Sequence, residues 1–176
     1  MPHPLVEQLR FARSEFVRSL VGVAEEEATR RFGAINSLSW MVGHLADQEQ
    51  RYWLVWRGKP LVEPTIGERC GHGRPGSTPP LAEMWGAWRA ITAAVDPYLD
   101  GLKVTDLAVP APAVTWPHPE SVGTMLLRMT GHYWFHNGEA QAVRQMLGHR
   151  DLPEFVGAIG REAPYRPEAV AATAAE

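Results

Sequence analysis

The fold class predicted by this sequence is all-α, a four-helix bundle. Four long stretches carry apolar residues at spacings of three and four, the pattern of helices with one buried face. Two shorter connections and one long crossover rich in proline and glycine separate them. With 176 residues, 45% of them hydrophobic and 21% charged, the chain has the size and balance of one globular domain.

The first helix is expected over residues 4–23, where Leu5, Leu9, Ala12, Phe16, Leu20 and Val23 line one face. The segment "VAEEEATRRFGAI" follows as a polar connection with room for a helical turn. Asn36 or Ser37 caps the second helix, and Gly58 and Pro60 stop it. Its stripe is Leu38, Met41, Leu45, Gln48, Tyr52 and Val55, with His44 at the border. Residues 59–80 contain five prolines and four glycines, so no regular element is expected there. The segment is long enough to travel the length of a bundle, since a helix of about 22 residues is roughly 33 Å and about ten extended residues cover it.

The third helix starts after "TPP", carries Leu81, Met84, Trp85, Trp88, Ile91, Val95, Leu99 and Leu102, and ends near Gly101. Residues 103–119 read as a loop with a short extended stretch. The fourth helix begins between Pro119 and Ser121 and stops at Gly148. Val122, Met125, Met129, His132, His136, Ala140, Val143 and Leu147 run down its core side. Residues 1–150 form the domain, and 151–176 are an extension expected to be partly frayed.

Composition removes several function classes. A net charge of −3 with no cluster of Lys and Arg on one face gives no footprint for nucleic acid. No apolar run reaches the roughly 18 residues that a membrane helix needs. Cys70 is the single cysteine, so no internal disulfide framework exists. The N-terminus has neither a continuous apolar stretch nor a small-residue cleavage site, and a cytoplasmic location is expected.

His132 and His136 are the residues that ask for chemistry. One buried histidine is most often a hydrogen-bonded core residue. Two at i and i+4 stack on one helix face, about 5–6 Å apart at Cβ, the spacing with which a helix chelates a metal ion. His3, His72, His118 and His149 fall in termini or loops and read as solvated, whereas His44 lies within a long helix beside its core face. Three imidazoles from two helices would leave an open position on a divalent transition metal, with zinc or nickel best suited and iron and copper compatible. Asp47 and Glu139, each three residues after a histidine, are candidates to accept the second ring N–H, against the equal claim of ordinary solvated or paired carboxylates.

Competing signatures are absent or weak. The sequence has no Glu-x-x-His di-iron motif, no His-Glu-x-x-His and no glycine-rich phosphate loop. Cys70 beside His72 in "GERCGHGRPG" invites a nucleophile reading, but one loop cysteine with one histidine is weak evidence. Trp40, Trp53, Trp56 and Trp134 flank the candidate ligands, and core packing is the commoner role for such side chains than lining a ligand pocket. Arg128 and Arg144 fit a solvated helix face as readily as an anion site, and stay outside the candidate set.

Two segments carry a family resemblance. "NSLSWMVGHLADQEQRYW" resembles the second-helix signature of the DinB-like, or YfiT-like, metalloprotein superfamily, and "GHYWFHNGEAQAVRQMLG" resembles its fourth-helix signature. With the helix order and the crossover, the resemblance covers residues 4–150. It implies an up-down-down-up bundle in which parallel helices two and three require the crossover. It also implies His44, His132 and His136 as metal ligands, a homodimer, and a small-molecule substrate. The activity implied is that of a metal-dependent enzyme using a low-molecular-weight thiol, such as bacillithiol or mycothiol, for S-transfer to an electrophile or for isomerising maleylpyruvate. A metal-dependent hydrolase and a non-catalytic, metal-stabilised dimeric binding module are the alternatives; hydrolysis ranks lower for want of an evident general base.

Overall fold

The structure is a computed structural model that describes residues 2–111, 120–154 and 156–166. It is mostly helical, with four long helices and one short pair of strands among the described residues. Helix α1 spans Pro4–Ser19; the His3 ring nitrogen Nδ1 accepts from the Leu5 N–H, and Pro4 sits where its missing N–H costs nothing. The helix stops short of residue 23. Gly22 turns the chain with φ of 78°, while Leu20 still reaches the core from outside the helix. The expected helical turn is α2, Glu25–Ala28.

Helix α3, Leu38–Trp53, is capped by the Ser37 hydroxyl and buries every residue except Arg51. That degree of burial makes it the central helix, covered on more than its apolar stripe. It does not run unbroken to Gly58; a 3-10 turn over Val55–Arg57 follows, ended by Gly58 in the left-handed region. Helix α4, Ile66–Cys70, lies inside the crossover where no regular element is expected. Ile66 and Cys70, four apart, give this turn a buried face. It docks closely because Gly43 of α3 has no side chain: a Cβ there would lie 2.6 Å from Cys70 Sγ and 2.5 Å from Met84 Sδ.

Helix α5, Leu81–Asp100, ends at Gly101 as expected. Its start has no side-chain cap of its own. The Glu25 carboxylate of α2 instead accepts from the N–H groups of Leu81, at 2.6 Å, and Ala82, at 3.3 Å. Helix α6, Val104–Leu107, precedes strand β1, Pro110–Ala111, which pairs antiparallel with β2, Glu120–Ser121. Helix α7, Val122–Met146, is capped by Ser121, and Gly148 follows its end with φ of 93°. Pro119 and His118 lie outside the described residues.

Helix α3 packs on α5, α1 packs on α7, and α3 also meets α7. Where they converge, Arg13 of α1 makes a bidentate ion pair with Glu49 of α3 at 2.6 Å for both bonds, and reaches Asp96 of α5 at 2.8 Å. The Tyr133 hydroxyl of α7 donates to Glu49 and accepts from Trp88 Nε1, so the buried charges are fully hydrogen-bonded. Part of the extension expected to fray is docked: after helix α8, Ile159–Glu162, the Ala163 carbonyl accepts from Gln8 of α1. Residues 167–176 lie outside the described residues.

Candidate functional site

The central part of α3 faces the central part of α7, and three imidazoles meet there. His44 and His136 are buried and His132 is half-buried. His132 Nε2 lies 3.2 Å from His44 Nε2 and 3.1 Å from His136 Nε2, and the three nitrogens all fall within 4.8 Å of one another. Spacing along α7 gives the second pair, since residues four apart share a face. Convergence with His44 is a tertiary fact.

The other ring nitrogens fix the tautomers. His44 Nδ1 lies 2.8 Å from the carbonyl oxygen of Cys70, which can only accept, so Nδ1 carries the proton and Nε2 keeps its lone pair. His136 Nδ1 lies 2.8 Å from the Glu139 carboxylate, with the same consequence. Two lone pairs therefore point at His132 Nε2, which has at most one proton to give. One of them is left without a donor.

This donor set fits a divalent metal ion. The two separations about His132 Nε2 approach the edge of a tetrahedron with metal–nitrogen bonds of about 2.0–2.1 Å, which is roughly 3.3–3.4 Å. Burial, reinforced by the neighbouring imidazoles, lowers His44 to about 4 and His132 to about 3. The Cys70 carbonyl partly opposes the shift at His44. Both rings are neutral at pH 7, the form that binds a metal.

The partner expected for His44 is corrected. Asp47 is buried, but its carboxylate accepts from Arg51 Nε at 2.8 Å rather than from His44. Three residues along a helix set Asp47 on the side where α4 packs: Gly67 lies against both Asp47 and Arg51. The carbonyl that replaces it belongs to Cys70 at the end of α4, an element with no signal in the periodicity. The Cys70 thiol itself is buried beside Met84, and burial pushes it up to about 11, which argues against its use as a nucleophile.

A cavity of about 760 Å³ opens onto His44 and His132. Tyr52 and Phe135 offer aromatic surface, while Arg51, Arg74 and Arg128 bring positive charge and Glu68 negative. None of the four flanking tryptophans lines it. Trp40 stacks on the His44 ring, with centroids 4.5 Å apart and planes 8° apart, and Trp53 is fully buried. Arg128 does reach the cavity, held by Glu120 at 2.9 Å, whereas Arg144 is neither solvated nor near it; it is buried, donating to the Ser19 carbonyl and to His149. His72, read as a solvated loop residue, also lines the cavity, and only the path of the crossover over α3 brings it there.

The described helices thus bring three histidines together, two of them, His44 and His132, opening onto a cavity. The sequence profile described as mycothiol-S-transferase matches residues 4–148. This chain belongs to that family. Among solved structures, a conserved protein from Enterococcus faecalis superposes with a TM-score of 0.65 at 20% identity, over 82% of this chain and 96% of that one. At that identity the likeness is one of fold. No curated protein matches in sequence. No helix among the described residues is long and apolar enough to cross a membrane.

Proposed function

We propose that this protein is a divalent-metal-dependent enzyme that activates a low-molecular-weight thiol, of the mycothiol or bacillithiol type, for S-transfer to an electrophile. The ligands are His44, His132 and His136, with zinc or nickel as the ion and Glu139 orienting His136. One observation carries the reading: three Nε2 atoms converge with more lone pairs than protons between them, at the edge of a cavity large enough for a small molecule. Membership of the mycothiol-S-transferase family supports the thiol chemistry.

A divalent ion held there supplies Lewis acidity at an open coordination position, lowering the pKa of a thiol that reaches it. The protein does the rest by placement. The Cys70 carbonyl and Glu139 hold two rings in the ligating tautomer, Trp40 braces one of them, and the aromatic and charged walls of the cavity orient the substrate.

In this reading residues 1–150 form an up-down-down-up four-helix bundle, with 151–176 as an extension, working in the cytoplasm as a homodimer. The contact order supports that topology: Gly43 against Met84 and Trp53 against Tyr98 advance together along α3 and α5, Phe11 and Ser19 of α1 meet Trp134 and Arg144 in the same order along α7, and Arg10 and Phe16 of α1 meet Asp100 and Trp85 in reverse order along α5.

The test is metal content by elemental mass spectrometry on untagged protein purified without chelators, beside His132→Ala. About one divalent transition metal per chain is expected in the wild type and none in the variant. Absence of metal from both would sink the proposal.

A further inference from the structure

The thiol must lose a proton, and the three histidines cannot take it while all three serve as ligands. This inference therefore rests on the reading above. Among the described residues, four groups that can exchange a proton line the cavity outside the triad: Asp47, Tyr52, Glu68 and His72. Asp47 is engaged by Arg51, and its carboxylate is sunk beneath Gly67. Tyr52 is buried, and Glu68 on α4 offers a carboxylate, a weaker base than an imidazole. His72 differs in its chemistry and its place: it is the one imidazole outside the triad on the lining of the cavity that His44 and His132 share, and an imidazole is the side chain suited to proton exchange near neutral pH.

Its placement is built into the loop. Gly71 stands where a Cβ would collide with the Gly67 carbonyl, and Gly73 has φ of 75°, a left-handed conformation that other residues rarely adopt. Between them His72 is exposed to the cavity.

We propose that His72 is the proton acceptor for the thiol in this site, and returns that proton to the leaving group. The S–H bond breaks with its electron pair staying on sulfur while the proton moves to the unprotonated ring nitrogen of His72. Sulfur then forms a bond to an electrophilic carbon, of an alkyl or activated aryl class, as the bond from that carbon to its leaving group breaks with the electrons departing on the latter. The His72 proton passes to the departing anion. Thiol and electrophile thus become thioether and protonated leaving group, with no redox partner.

The deciding measurement is the number of protons released when the zinc-loaded protein binds a thiol. Calorimetric titration with N-acetylcysteine in two buffers of different ionisation enthalpy, near pH 7.5, gives that number for wild type and for His72→Gln. The wild type should keep the proton on His72 and show little buffer dependence, while the variant should release up to about one more proton per site. Zinc content should be unchanged in the variant, because His72 is not a ligand. Equal proton release from the two proteins overturns the role of His72 alone, as does loss of zinc on substitution. No binding heat in either overturns the thiol reading together with this inference.

Discussion

His132 is the residue on which the candidate centre turns, because the lone pairs of His44 and His136 both face its Nε2. The carboxylates beside the centre separate by partner. Glu139→Ala frees the His136 ring and should weaken metal affinity by about 10–100-fold in a chelator competition assay. Asp47→Asn should leave affinity within about threefold, since Asp47 holds Arg51 and not a ring nitrogen. The reverse ranking would mean that the tautomers are set differently. The metal-free protein should also be acid-sensitive. In the unfolded chain His44 and His132 take protons near pH 6.5, but in the folded one only near 4 and 3. The folded pKa values are depressed, so this stability is present above about pH 6.5 and is lost as pH falls through the folded values. Urea midpoints of chelator-treated protein should fall between pH 7 and 5, and the slope should flatten in His132→Ala.

At the scale of elements, caps are where local sequence and tertiary context part company. Ser37 and Ser121 cap α3 and α7 from the adjoining residue, so both starts are readable from the chain. Helix α5 takes its cap from Glu25, 56 residues away from Leu81, which no local pattern encodes. Glu25→Ala should cost about 1 kcal/mol by urea unfolding, as the loss of a local cap does. An unchanged midpoint would show that water serves the α5 N–H groups as well. The crossover follows the same logic: its prolines and glycines argue against a long element, yet α4 is only Ile66–Cys70. A turn that short is decided by what it packs against, here the surface opened by Gly43 and the side chains of Asp47 and Arg51.

For the whole molecule, the network around Glu49 ties all four long helices together through Arg13, Asp96 and Tyr133. Glu49→Ala leaves Arg13 buried and deprives it of its bidentate partner, which should cost about 3–5 kcal/mol in a urea titration. A loss below about 1 kcal/mol would mean that Asp96 alone satisfies the guanidinium. The same network fixes the register of α3 against α7: Glu49 lies five residues beyond His44, and Tyr133 adjoins His132.

The four long helices are legible in the chain alone, because apolar spacing and breaker residues act within a few turns. The sequence also singled out His132 and His136 by their i, i+4 spacing on a core face, and His44 by its place within a long helix where the other histidines fall in termini or loops. Tertiary structure alone decided the rest: that the three Nε2 atoms meet, that a carbonyl of α4 rather than Asp47 holds His44, and that His72 faces the cavity. Each of these joins residues more than twenty positions apart. Such contacts are set by which helices pack together and where a crossover lies, and those follow from burial summed over the whole chain, not from any one segment's pattern.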